Sequence, residues 1–468
     1  MVRFFRPKFF FVLPLLVLSF SLSGCGFRSG GEEESYKVSL EIWGVFDDSG
    51  AYTKAITEYK KINPYVGEIQ YRKLSPETYK EDLINALAAG KGPDIFMIRN
   101  AWRESFEDKT APAPEGLITE RAYREAFADV VSSDFIGTEN RIYGIPLSVD
   151  SLALYYNKDM FNAAGISRPP ETWAEVMDVI KKLTTLDQFG NITRSGIALG
   201  TGANINRSSD ILTALMLQSG VELDSSQNQS NFFSQLSSDT LEYYTQFSRI
   251  GSPVYTWNAR QHYSIDSFYE GTTAMMINYS WQYETLKQKN AKLNIGVAPL
   301  PQMNKDAPKN VANYWGYAVT KDKPIKPVMG PSSATVVVDP EKQNYLRVFE
   351  AWQFLKFMAL SGERKSITLV NGLTSTSKEF PLSSDLAADY LAETRKPAAR
   401  RDLIASQKDD LTLAPFAYGN LIAKNWYQGN PEALDGIVID AIESVIRGEK
   451  GARDALSVAA NRIEVLDR

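Results

Sequence analysis

One cysteine and one histidine among 468 residues withhold most of the side chains that catalytic and metal chemistry use. Cys25 has no partner for a disulfide within one molecule, and in an oxidising compartment its free thiol would be a liability. His262 reads as an ordinary polar residue in a loop or helix start. That leaves a Ser-His-Asp triad, a Cys-His dyad or a His-based metal site without its histidine. Neither a metal nor a cofactor is expected. Basic blocks are missing too. Lys and Arg number 51 against 56 Asp and Glu, and without clustered cations nucleic acid is not an expected partner. No internal repeat is visible. After residue 25 no segment approaches the ~20 apolar residues of a membrane-spanning helix.

What is present begins with the N-terminal end. Arg3, Arg6 and Lys8 precede the apolar run Phe9 to Leu22, which only Pro14, Ser19 and Ser21 interrupt. The run is short for a membrane span but has the size and flanks of a signal peptide. Leu22-Ser23-Gly24-Cys25 looks like a bacterial lipobox, in which the cysteine receives lipid. Acylation would remove the thiol and hold the chain at a membrane surface without spanning it. Residues 1–24 are therefore expected to be a lipoprotein signal peptide. Residues 25–35, small and charged, are expected to be a flexible tether. The expected location is the extracytoplasmic face of the membrane in the cell envelope, with Cys25 as the lipidation site. Loss of the three leader cations leaves 48 Lys and Arg against 56 acids, a net of −8.

From residue 37 the pattern alternates between strand and helix. Val38, Leu40 and Ile42 share a face at period two. Tyr52, Ile56 and Tyr59 recur at helical spacing until Asn63-Pro64. Strands are expected at 67–72 and 94–98, with a helix over 77–89 between them. This β-α-β-α-β order predicts a parallel sheet covered by helices. A second α/β unit opens near Ser151 with a strand over 152–156. Thr172 and Glu175 read as a capping box for a helix carrying Trp173, Val176, Ile180 and Leu183 on one stripe. Further strands are expected at 196–199, 274–278, 295–300 and 315–320. The last third is mainly helical, over 345–359, 431–447 and 452–466. Residues 224–238, rich in Ser, Gln and Asn, read as an exposed loop. Residues 323–343 look like an inserted loop or hairpin.

In open parallel sheets a ligand binds past the carboxyl ends of the strands. That rule selects Trp43, Asp47 and Asp48 after the first strand. It selects Arg99, Asn100 and Trp102 after the third, and Tyr279 and Trp281 after the strand ending at Asn278. Each exit sets an aromatic ring beside hydrogen-bonding groups. Sugars need that pairing, because one pyranose face packs on a ring while polar side chains bind the hydroxyls at its edge. Trp173 and Trp352 sit on apolar helical stripes and read as core. Trp315 joins the site candidates, while Trp102 and Trp426 fit core and site equally. Asp47 and Asp48 could equally cap the helix that follows them.

These segments, in this order, resemble the extracellular solute-binding family 1. The likeness rests on VSLEIWGVFDD (38–48), GKGPDIFMI (90–98), NRIYGIPLSVDSLALYYNKDMFNAAGI (140–166) with PPETWAEV (169–176), and FYEGTTAMMINYSW (268–281). It spans about 36–466. The resemblance implies a periplasmic-binding-protein-like α/β fold, with two α/β lobes, a hinge and a ligand cleft between them. The lobes implied are 36–148 with 300–362, and 149–298 with 363–468. Crossings are expected at 144–150, 298–301 and 360–366. The family's ligand positions fall on the 43–48 and 99–102 loops, Asp150, Trp281 and Trp315. The loop 204–210 and the segment Tyr418 to Trp426 face the cleft by looser correspondence. Ala101 and Trp102 stand where maltose-binding members carry an Asp-Arg pair, so those members' contacts do not transfer.

The resemblance implies a monomeric, non-enzymatic binding subunit of an ABC importer. It would capture a small solute, a mono- or oligosaccharide, by lobe closure and pass it to the permease's transmembrane subunits. A polyol phosphate, a polyamine or a peptide are alternative solutes. A surface glycoside hydrolase is the enzymatic rival, since Asp and Glu are abundant, and a structural adhesin without a cleft is a third.

Overall fold

The computed structural model describes residues 37–222, 234–323, 339–360, 366–425 and 430–466. Cys25, the leader and tether around it, and Trp426 lie outside the described residues. So do 324–338 of the expected insertion and most of the Ser/Gln/Asn-rich stretch.

The alternating apolar pattern at 38–42 becomes the strand Val38–Gly44, with Val38, Leu40 and Ile42 all buried. It pairs in parallel with Val66–Lys73 on one side and Ile95–Arg99 on the other. Trp315–Thr320 then joins antiparallel to Ile95–Arg99, setting Trp315 opposite Arg99, and Thr110–Ala111 completes the five-stranded sheet. The helix Gly50–Ile62 packs Tyr52, Ala55 and Tyr59 inward, and Asn63 ends it by donating its N–H to the Tyr59 carbonyl.

A second sheet has three strands, with Ala153–Asn157 in the middle and antiparallel to both Met275–Asn278 and Ile295–Pro299. Beside it lies the helix Trp173–Leu183, whose apolar stripe is wholly buried. The Thr172 hydroxyl accepts from the Glu175 N–H at 3.2 Å, and the Glu175 carboxylate reaches back to the Glu171 N–H at 2.8 Å. The strand expected at 196–199 does not form. The segment is buried and the Ala198 N–H donates to the Met275 carbonyl at 3.0 Å, but Gly200 takes φ +110° and bends the chain away from an extended path.

The two sheets nucleate separate hydrophobic cores. One gathers Ile42, Phe96, Tyr317, Trp352 and Phe354; the other gathers Leu154, Trp173, Leu212, Ile277 and Ile442. Trp173 and Trp352 are thus core residues. The chain passes from the first core to the second between Val149 and Leu152, and returns between Val311 and Ala312. The return comes about ten residues later than the position expected at 298–301. Leu300 and Val311 still pack in the second core, while the strand Asn310–Val311 pairs with Ala423–Lys424, whose Ala423 packs in the first. The two passages run side by side. Ser151 and Ala312 form an antiparallel bridge, and the Asn313 N–H donates to the Asp150 carbonyl at 3.0 Å.

Residues after 362, expected in the second lobe, begin in the first core instead. Ile367, Leu369, Leu386, Tyr390 and Ile404 all pack there. The strand Ser366–Val370, paired with the largely exposed Ser377–Pro381, turns Ile367 and Leu369 into the first core, and the helix Leu386–Thr394 adds Leu386, Ala387, Tyr390 and Leu391. The third passage falls later. The helix Ala414–Leu421 touches both cores, with Phe416 in the second and Ala417 in the first, and the chain is last in the first core at Ala423 before Leu434 enters the second. The helices Pro431–Ile446 and Ala452–Leu466 then complete the second core. No helix among the described residues is long and apolar enough to cross a membrane.

Candidate functional site

A cavity of about 860 Å³ opens between the two cores, and both line it. Segments that adjoin the first core contribute Phe46, Met97, Arg99, Trp102, Trp315 and Tyr317; segments that adjoin the second contribute Arg207, Ser280, Trp281, Glu284, Asn430 and Glu432. Asp150 lies on the wall at the passage between them.

Trp281 is 43% exposed, which is unusual for so large an apolar ring. Tyr279 explains its position. It is fully buried and stacks under Trp281, with centroids 4.6 Å apart and planes 20° apart. Its hydroxyl donates to Asp210 at 3.0 Å. One face of Trp281 is thus covered and braced. Across the cavity Trp315 is packed edge-on by Phe46, Tyr79 and Trp102 at 5.4, 5.8 and 4.9 Å. The walls are therefore aromatic from both sides.

Asp150 is held by three donors. Its Oδ2 accepts from the Ser280 N–H at 2.9 Å and hydroxyl at 2.5 Å, and its Oδ1 from the Ser151 N–H at 2.9 Å. Burial pushes its carboxyl up to about 7 against these bonds and against the positive charge of Lys396. Behind the wall Asp47 accepts from Lys396 at 2.5 and 2.7 Å, from Tyr390 at 2.7 Å and from Tyr52 at 3.2 Å. This cluster fixes the cavity-lining side chains of Lys396 and Tyr390. Asp134, also buried, is pushed up to about 6 by burial, opposed by bonds from Tyr314, Asn425 and Asn100.

Of the residues selected from sequence, Arg99, Trp102, Asp150, Trp281 and Trp315 line this one cavity. The others stand elsewhere. Trp43 is buried in the first core, its ring N–H bonded to Glu41 at 2.7 Å and Arg72 lying 5.2 Å from the ring centre. The strand runs on to Gly44 and pairs Trp43 with Phe96, so the exit falls at Phe46. Asp47 supports the wall without lining it. Asp48 points outward and pairs with Lys73 at 2.9 Å. Neither caps the following helix, whose N-cap is Ser49 with no side-chain bond. Asn100 turns away to Asp134, and Tyr279 braces Trp281 from beneath. Trp426 lies outside the described residues.

Sequence reading did not single out Phe46, Arg207 or Glu432, although it expected the 43–48 and 204–210 loops, which hold the first two, at the cleft. Phe46 was in reach, since it sits between two selected positions. Arg207 holds left-handed backbone, φ +67°, at the start of the helix Ser208–Gln218; the resemblance placed its loop at the cleft, but no local pattern singles out its side chain. Glu432 comes from a distant helix and meets the first core only in three dimensions. His262 is exposed in a loop and contacts Glu270 at 2.8 Å. Among the described residues no group of three or more His, Cys, Asp or Glu side chains is placed to hold a metal ion.

The sequence profile described as bacterial extracellular solute-binding protein matches residues 43–365. The sn-glycerol-3-phosphate-binding periplasmic protein UgpB of Yersinia enterocolitica is 23% identical over 431 residues, covering 89% of this chain and 87% of that one. A maltotriose-binding protein of Pyrococcus abyssi is 27% identical over 241 residues, covering 50% and 48%. Among solved structures, the cyclic alpha-maltosyl-1,6-maltose binding protein of Arthrobacter globiformis superposes with a TM-score of 0.68 at 17% identity, over 92% of this chain and 99% of its own. At that identity the likeness speaks for the fold alone. It agrees with the expected two-lobed α/β class.

Proposed function

The chain belongs to the bacterial extracellular solute-binding protein family, and from that premise we propose that it captures a mono- or oligosaccharide between its lobes and delivers it to the membrane subunits of an ABC importer. The observation that carries this reading is the uncovered face of Trp281. It is braced by Tyr279 and set in a cavity whose opposite wall holds Trp315 and Phe46. A pyranose presents C–H groups to such a ring and hydroxyls to Asp150, Asn313 and Arg99 around it. The volume of about 860 Å³ suits a ligand of one to a few sugar rings. A micromolar complex needs roughly 8 kcal/mol, within reach of stacked rings and satisfied hydroxyls.

In this proposal the lobes pivot about the paired passages at 149–152 and 311–312. The closed form is favoured because only it touches the ligand from both sides. The protein acts as a monomer, tethered through acylated Cys25 at the outer face of the membrane. No covalent step is involved.

Thermal unfolding against a panel of neutral mono- to heptasaccharides tests the reading. A true ligand at ~100 times its dissociation constant stabilises by about 2.7 kcal/mol and raises the melting temperature by several degrees. No shift from any member of the panel, together with a non-sugar recovered from the purified protein, would overturn it.

A further inference from the structure

The cavity wall carries five cationic and five acidic side chains, and how they pair bears on which solutes can enter. Glu432 stands at the second position of the helix Pro431–Ile446, on the second core. Its carboxylate reaches across to three side chains on the other wall. Lys80 donates to it at 3.0 Å, the Trp102 ring N–H donates at 3.2 Å, and Arg99 lies 3.6 Å away. Lys80 also sits over the Trp102 ring, 4.9 Å from its centre. Burial works against ionisation of Glu432, but the bond and charge of Lys80, with Arg99, outweigh it and hold the carboxyl below its usual value. It stays charged at neutral pH.

Two of the three remaining cations are also paired. Lys396 is paired with Asp47 behind the wall, and Arg395 with Asp410 at 3.4 Å. Arg207 lies beside the Trp281 and Tyr279 rings at 5.4 and 5.7 Å; it forms no ion pair within 4.0 Å among the described residues, and its Nε is buried without a hydrogen-bond partner. Glu77, Glu81 and Glu284 add exposed acidic groups to the lining. An arriving anion therefore meets four cations of the five already paired and a mouth of its own sign.

We propose that Glu432 sets the charge class of the solute, occupying Lys80, Arg99 and Trp102 in place of an acidic ligand so that the cleft takes neutral saccharides and rejects uronates and phosphorylated polyols. The inference rests on the solute-binding reading of this cavity and narrows it. It runs against the phosphate-bearing alternative, even though five cations face the cleft. Removing the charge of Glu432 frees two cations and a ring N–H that converge on one point, the arrangement a carboxylate or phosphate needs.

The test compares the full chain with Glu432→Gln by calorimetric titration and thermal shift. The probes are inorganic phosphate, sn-glycerol 3-phosphate, trigalacturonate and the neutral panel. The wild type should bind none of the anionic probes at about millimolar concentration, the usual edge of specific affinity. The variant should bind at least one of them ~10-fold or more tighter, and adding Arg99→Gln or high salt should cancel the gain. Glu432 is half exposed, and near-UV circular dichroism confirms that the variant is folded. Wild-type binding of an anionic probe as tight as any neutral sugar overturns the proposal. So does a folded variant that gains no anion binding. A silent neutral panel speaks against the saccharide reading instead, because the anionic comparison is read independently of it.

Discussion

Asp150 should make the stability of this protein fall as pH rises across neutrality. Its carboxyl, ordinarily at 3.8, is pushed up to about 7 by burial in the folded chain. Between those two values the folded state holds the proton more tightly than the unfolded state. The contribution to stability is therefore fully present below about pH 4 and is lost as pH climbs through about 7. From about pH 5 to about pH 8 the loss is about 2.5 kcal/mol, at ~1.4 kcal/mol for each of the roughly two pH units below the folded value. Asp134, pushed up to about 6, acts in the same direction. Comparison with Asp150→Asn removes its share, since Asp134 is present in both proteins. Urea unfolding at the two pH values is the assay. The wild type should lose about 2.5 kcal/mol more than the variant over this range, a large part of a marginal total. If the two proteins show the same pH dependence to within ~0.5 kcal/mol, then Asp150 is ionised in the folded chain and the argument from burial fails.

Two further outcomes follow from the geometry. Trp281→Ala should cut affinity for any sugar found in the panel by ~10-fold or more, while the melting temperature stays within about 1 °C, because the ring is 43% exposed; a parallel loss of folding would make Trp281 a packing residue. Asp47→Ala strands Lys396, Tyr52 and Tyr390 without their shared acceptor. With Lys396 about a quarter exposed, it should cost ~2–3 kcal/mol, below the full cost of breaking a buried pair, and an unchanged melting temperature would refute the role given to the cluster.

Local periodicity carried most of the elements, because strand alternation and helical stripes record burial residue by residue. The helix Ala452–Leu466 and the strand Trp315–Thr320 lie where the pattern puts them. Packing between distant segments leaves no such trace. Nothing local tells that Ile367 to Ile404 serve the first core, or that the chain returns at Val311 rather than near Pro301. The site follows the same division. The strand-exit rule found Arg99, Trp102 and Trp281 but passed over Phe46 for its neighbours Trp43, Asp47 and Asp48, because the first strand extends beyond its apolar pattern to Gly44. Tyr279 was selected for its position, yet its burial could be settled only by the neighbour stacked above it. Glu432 needed the assembled chain, since its partners lie more than three hundred residues earlier.

The bonded neighbours Ser151 and Ala312, with Asn313 tied to the Asp150 carbonyl, turn two connecting threads into a single narrow ribbon. A ribbon twists and folds far more easily than it shears, so sliding one half past the other would tear these bonds while swinging it would keep them. Asp150 belongs to that ribbon and to the cavity wall, so the closure proposed above would pivot beside a carboxyl that burial pushes up.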